Sequence, residues 1–151
     1  MNAKTTLPVA MAAVCTMLAS ASLPETAAAD ETITLVERAT SDAVTDLGAK
    51  GDSAGDILTF ANDVYDKGNA NKVGTDNGWC ARTVAGKAWE CIWTTTLADG
   101  QITVEGPFYD TADSELAITG GTGEYAEASG SLALHARNNK GTEYDFVFKL
   151  K

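Results

Sequence analysis

Residues 118–132 read ITGGTGEYAEASGSL, and the meaning given to those glycines decides the fold. A phosphate cradle needs a glycine loop that runs into a helix whose first turn carries Lys followed by Ser or Thr. No such Gly-Lys-Ser/Thr follows here. Glu124 and Glu127 follow instead, and they would repel a phosphate, after which Gly130 opens a second apolar run from Leu132 to Ala136. The stretch therefore reads as a glycine-rich crossing between two antiparallel strands, with glycine supplying the positive φ of the turn.

Working outward, the same alternation recurs. Asp30 to Arg38, Gly55 to Tyr65, Val73 to Thr83, Ala88 to Leu97, Gln101 to Phe108, Leu116 to Thr119, Leu132 to Arg137 and Glu143 to Leu150 each read as a strand. Turn residues separate them, including Asp66-Lys67-Gly68-Asn69, Asp99-Gly100 and Asn138-Asn139-Lys140-Gly141. Thr40 to Ser53 has few large apolar residues and reads as a surface loop, long enough to be a lid or simply a mobile connection. Eight short strands with turns between them and no helical period predict an all-β chain, a single eight-stranded antiparallel β-barrel or a sandwich.

The first 29 residues stand apart from that pattern. Lys4 gives a positive start, Leu7 to Leu23 is apolar without an acid, and Ala27-Ala28-Ala29 offers a small-residue cleavage site. Residues 1–29 are thus expected to be a secretory signal peptide, with residues 30–151 forming the secreted, extracellular domain. Removing them takes away Lys4 and Glu25 together, so the net charge of -10 stays with the domain. Such an acidic domain is not expected to seek nucleic acid or, once the leader is cleaved, an anionic membrane. No metal-spaced cluster and no internal repeat occurs, so neither metal nor cofactor is expected.

Removal of the leader also takes Cys15, which leaves Cys80 and Cys91 in an oxidising compartment. If Val84-Ala85-Gly86-Lys87 is the hairpin loop, Cys80 falls directly opposite Cys91, close enough to bond. The same register sets Arg82 against Trp89 and Gly78 against Trp93. The Arg82 and Trp89 pair then makes a cation–π contact at the barrel mouth or receives the anionic end of a ligand.

Strand parity assigns an interior. Ile102, Val104, Gly106 and Phe108 share one face, as do Trp89, Cys91 and Trp93, and as do Phe60 and Asn62; Thr34 and Val36 complete the wall on the first strand. These residues line an apolar pocket or simply fill a core. Asn62 and Asp63 are the polar candidates for chemistry, although alternation sets them on opposite faces. His135 has no obvious partner for a triad.

The ordered motifs GDILTFANDVYD, VGTDNGWC, LADGQITVEGPF and ITGGTGEY, spread over Ile33 to Leu150, resemble the allene oxide cyclase-like family, which is related to the dirigent proteins. The resemblance implies a barrel that encloses a hydrophobic small molecule and templates its cyclisation or isomerisation, largely by confinement. It also implies a homo-oligomer, a trimer. Asn62 and Cys80 match the plant cyclase pattern. The first-strand glutamate and asparagine of that pattern fall on Thr34 and Val36, its loop proline on Ala43 and its pocket tyrosine on Phe108. On that alignment the carboxylate that would assist ring opening is missing, and dirigent proteins point to Asp63 as the acid instead. A non-catalytic, lipocalin-like carrier of a hydrophobic ligand is the competing expectation.

Overall fold

The computed structural model describes residues 30–151, and the leader expected over residues 1–29 lies outside the described residues. The chain forms β1 (Glu31–Arg38), β2 (Ala43–Thr45), β3 (Ile57–Asp66), β4 (Lys72–Val84), β5 (Ala88–Leu97), β6 (Gly100–Tyr109), β7 (Ser114–Gly123), β8 (Gly130–Ala136) and β9 (Glu143–Leu150). Every pairing is antiparallel. Neighbours in sequence pair from β3 round to β9, β9 pairs with β1, and β1 pairs back onto β3, which closes an eight-stranded antiparallel barrel. Closure leaves no long open edge for another chain to add to.

Two elements differ from the sequence reading. The segment after β1, expected to be an open loop, contributes β2, which lies along the outer part of β3 with Val44 opposite Leu58. Three short residues could not be told from loop because Val44 is the only large apolar side chain among them. The glycine crossing also sits later than expected. β7 runs on through Gly120 and Gly121 to Gly123, opposite Gly100, and the turn falls at residues 124–129. Glycine is required there by crowding, since a Cβ on Gly121 would lie 2.3 Å from the carbonyl oxygens of both Gln101 and Tyr125.

The cysteine hairpin has the expected register. Cys80 faces Cys91, Arg82 faces Trp89 and Gly78 faces Trp93, and the two sulfurs are bonded, with Cα atoms 4.0 Å apart. Gly78 has to lack a side chain, because a Cβ there would meet that of Trp93 at 2.3 Å.

The core fills one end of the barrel. Ile102, Ile118, Leu132, Phe148 and Leu150 are all buried and belong to one cluster. Phe148 packs edge-on to Phe146, which in turn packs against Trp93. Burying side chains of this size stabilises the fold by about 1.5–3 kcal/mol each. Toward the other end Leu58, Phe60, Phe108 and Tyr144 are only partly buried, and the packing opens.

Candidate functional site

At the open end a cavity is bounded by Leu58, Phe60, Trp93, Phe108, Tyr144 and Phe146, with Leu134 and the Cys80–Cys91 pair completing its apolar wall. The cavity volume is about 50 Å³, and the cavity is open at its mouth. A cavity of that size takes a water molecule or one end of a small organic group, well short of the about 300 to 1,000 Å³ of a site that encloses a whole small molecule. Phe60 stands edge-on to Trp93 at 6.0 Å between centroids, and Phe108 edge-on to Tyr144 at 5.8 Å. These rings present fixed aromatic surfaces around the cavity.

Two acids, Glu37 and Asp42, reach this apolar lining. Glu37 is buried, as is Asp76 behind it. Their carboxyl groups hydrogen-bond to one another, which requires that one of them carry a proton. Burial, followed by the charge of Glu37, pushes Asp76 up to about 9, so Asp76 is the protonated partner at neutral pH. Burial raises Glu37 to about 7, while hydrogen bonds from Asn62 and Asp76 hold it back. Tyr144, facing Glu37 across the β1–β9 pair, is pushed up to about 12 by burial and then by the charges of Glu37 and Asp42, and its hydroxyl stays neutral.

Asn62 organises this cluster. Its Nδ2 donates to Glu37 Oε1 at 2.7 Å and to Asp42 Oδ1 at 2.9 Å. Its Oδ1 accepts from the backbone N–H groups of Thr40 and Ser41 and from Ser41 Oγ. With both ends of the amide occupied, Asn62 aims the Glu37 carboxylate and fastens the start of the segment after β1 to the rim. Asp56 fastens its far end, accepting from Leu47 N and Ser53 N at 2.8 Å each, and those N–H donors hold its carboxyl below the usual range. The stretch read as a lid or a mobile connection is therefore tied at both ends.

The other sequence-derived candidates divide by face. Phe60, Trp93 and Phe108 line the cavity; Trp89, Ile102 and Val104 point inward as expected but pack in the core. Arg82 stacks on Trp89 at 3.9 Å, and its guanidinium is already engaged by Asp110, at 2.7 and 2.8 Å, and by Asp52 at 2.6 Å. Two carboxylates thus occupy the cation that was a candidate for an anionic ligand. Asp63 lies on the outer face with Lys72 at 2.6 Å, away from the cavity. His135 bonds Asp113 at 2.6 Å on the surface.

The first strand is where the parity reading fails. Ile33, Leu35 and Glu37 face Phe148, Phe146 and Tyr144 across β9 and point inward. Thr34 and Val36 point outward, Val36 being buried nonetheless beside Tyr65 and Asp145. Leu35 and Val36 are adjacent and both apolar, so alternation there has two solutions. The correction supplies the carboxylate that the sequence alignment lacked. Asp76 was missed as well, although it had a readable signal: it lies two and four residues before Gly78 and Cys80, on the inward face of β4.

Comparison with known proteins agrees with this architecture. The family model described as "Allene oxide cyclase" matches residues 32–143. Among solved structures, a pyocyanin demethylase superposes with a TM-score of 0.69 at 30% identity, over 80% of this chain and 100% of that one. The exo-specific intermolecular Diels-Alderase AbnU superposes at 0.65 with 13% identity, over 82% and 98% of the two chains. A pterocarpan synthase dirigent protein also superposes at 0.65, with 17% identity over 81% and 96%. The last two, at such low identity, speak to the barrel alone. The family match spans most of the chain, and the demethylase is covered along its whole length; this protein belongs to the allene oxide cyclase family.

Proposed function

We propose that this chain is an enzyme that takes one small, flat, hydrophobic molecule into the barrel mouth and promotes its cyclisation or isomerisation, with Glu37 moving the proton. The observation that carries this reading is the hydrogen-bonded pair of buried carboxyl groups set against an aromatic wall. Glu37, the member that reaches the cavity, takes a proton from the guest and returns it at another atom. Asp76 is a positioning residue, its proton stabilising the Glu37 carboxylate from behind, and Asn62 is a second one. The aromatic faces hold the guest in a reactive shape, which supplies the remainder by confinement. We place the working protein outside the cytoplasm, which the leader-like residues 1–29 and the Cys80–Cys91 bond support.

A bicyclic ketone with acidic C–H groups, 2-tetralone, tests this in heavy water. Mass spectrometry should show deuterium entering faster with the protein than in buffer, and Glu37→Gln should slow that gain by about 100-fold. Exchange no faster than buffer, or unaffected by Glu37→Gln, contradicts the assignment; saturable binding without exchange would leave a carrier. The 30% identity to pyocyanin demethylase favours a second reading, in which the bound ring system loses a methyl group. Incubation with pyocyanin, followed by mass analysis for that loss, separates the two.

A further inference from the structure

The cavity beside Glu37 has room for one end of a small molecule, and the rest of that molecule needs space elsewhere. A second cavity, of about 420 Å³, lies next to it, between the connection joining β6 to β7 and the turn joining β8 to β9. That volume is within the about 300 to 1,000 Å³ of sites that enclose small molecules. The two spaces share three wall residues, Phe108, Leu134 and Tyr144. Leu134 is a buried member of the core cluster on β8, so the second cavity reaches into the barrel mouth. The edge-on rings of Phe108 and Tyr144 border both spaces. Tyr144 runs on to the β8–β9 turn, where a Cβ on Gly141 would come within 2.8 Å of its hydroxyl.

The charge of the walls selects what the second cavity accepts. Asp110 and Asp113 line it, Glu37 and Asp42 line the first, and among the described residues no lysine or arginine lines either. Arg82 bonds Asp110 but is shared with Asp52, so those three together keep one net negative charge. Asp113 bonds His135 at 2.6 Å, with both side chains exposed to whatever enters. Tyr109, Ala112 and Ala136 supply apolar surface between the polar groups. A negatively charged ligand would meet like charge on both sides of the shared rings and no cation in either wall to pair with. We infer that the second cavity holds the body of the guest, and that the guest is a neutral or cationic molecule with an apolar end, an alcohol or an amine and not a carboxylate. The inference rests on the proposed reading of Glu37 as the group that meets the guest; it adds where the rest of the guest lies and what charge it can carry.

Equilibrium dialysis of the whole protein against three probes with one ring system tests this: 1-naphthylmethylamine, a cation at neutral pH, 1-naphthylmethanol, which is uncharged, and 1-naphthoate, an anion. The amine should bind about 10-fold more tightly than the naphthoate, with the alcohol between them, and the spread should narrow at about 1 M salt. Asp113→Asn should cut the amine's advantage by about threefold, while Glu105→Gln, an exposed acid outside both cavities, should leave it unchanged. Ala112→Trp, at an exposed position, fills the second cavity and should weaken the amine and the alcohol by about 10-fold with thermal unfolding unchanged. Ala136→Trp carries that arm if Ala112→Trp fails to fold. Naphthoate binding as tightly as the amine, or an equal loss of preference in Asp113→Asn and Glu105→Gln, overturns the charge assignment. Undiminished binding by the tryptophan variants overturns the placement. Binding of none of the three probes overturns the inference as a whole, and Glu37-dependent exchange into 2-tetralone then decides separately whether the cavity reading falls with it.

Discussion

The two ends of this barrel are built from the same strands and do opposite things. At one end Ile102, Ile118, Leu132, Phe148 and Leu150 close the lumen with buried aliphatic and aromatic groups. At the other, Leu58, Phe60, Phe108 and Tyr144 are only partly buried around a cavity that two buried acids, Glu37 and Asp76, border or back. A closed eight-stranded barrel has room for its own side chains or for one small guest. Here one end is filled by the barrel's own side chains and the other opens as a cavity, with the facing residues Asn62, Asp76, Thr95 and Ile102 as the boundary. Packing and the candidate site are thus separated along the barrel axis, and substitutions should respect that division.

The largest effect is expected in the filled end. Phe148→Ala should lower stability by about 3–5 kcal/mol in denaturant unfolding, since a cavity would replace a fully enclosed ring. Next comes the boundary. Asn62→Ala should cost about 2–3 kcal/mol, because it strips partners from buried Glu37 and from two backbone N–H groups. Hydrogen exchange should locate that loss, with the Thr40 and Ser41 amides exchanging faster while those of β9 stay protected.

A smaller effect of opposite sign is expected from Asp76→Asn. The Asp76 carboxyl is raised by folding to about 9, so the folded chain holds a proton that the unfolded chain gives up near pH 4. The folded state therefore loses stability as pH rises from about 4 through about 9. The neutral amide has no such loss. Asp76→Asn should match the parent near pH 4 and exceed it by a margin that widens as pH rises toward about 9 in thermal unfolding. Least affected should be the mouth. Phe60→Ala should cost about 1–2 kcal/mol, since its ring already borders open space, yet weaken binding of a flat probe such as naphthalene. If Phe60→Ala and Phe148→Ala cost the same, the two ends are not different in kind.

Much of this division was legible in the chain. The cysteine register fixed β4 against β5 because a two-sided sequence constraint, the Cys80–Cys91 pair and the Val84 to Lys87 loop, leaves one alignment. Parity then gave the inward faces of β3, β5 and β6, since in each the large apolar residues occupy alternate positions. The acids were harder. A charged residue in a strand is ordinarily a solvent-facing one, and Glu37 and Asp76 reverse that only because each lies close to the other and to Asn62 in three dimensions. Parity could still have placed Asp76 on the inward face, from Cys80, and Thr95 likewise, from Cys91. The segment after β1 was not legible, because what ties it down is Asn62 and Asp56, far along the chain from the residues they hold.

The claim on which the rest depends is that a buried carboxyl group keeps its proton beside Glu37 at neutral pH. Infrared difference spectroscopy of the folded protein against Asp76→Asn reads this directly. The account predicts a protonated carboxyl C=O band at pH 7 that is absent from the variant and disappears from the parent only as pH approaches about 9. A spectrum at pH 7 with carboxylate bands alone, identical in parent and variant in the carboxyl C=O region, would contradict it.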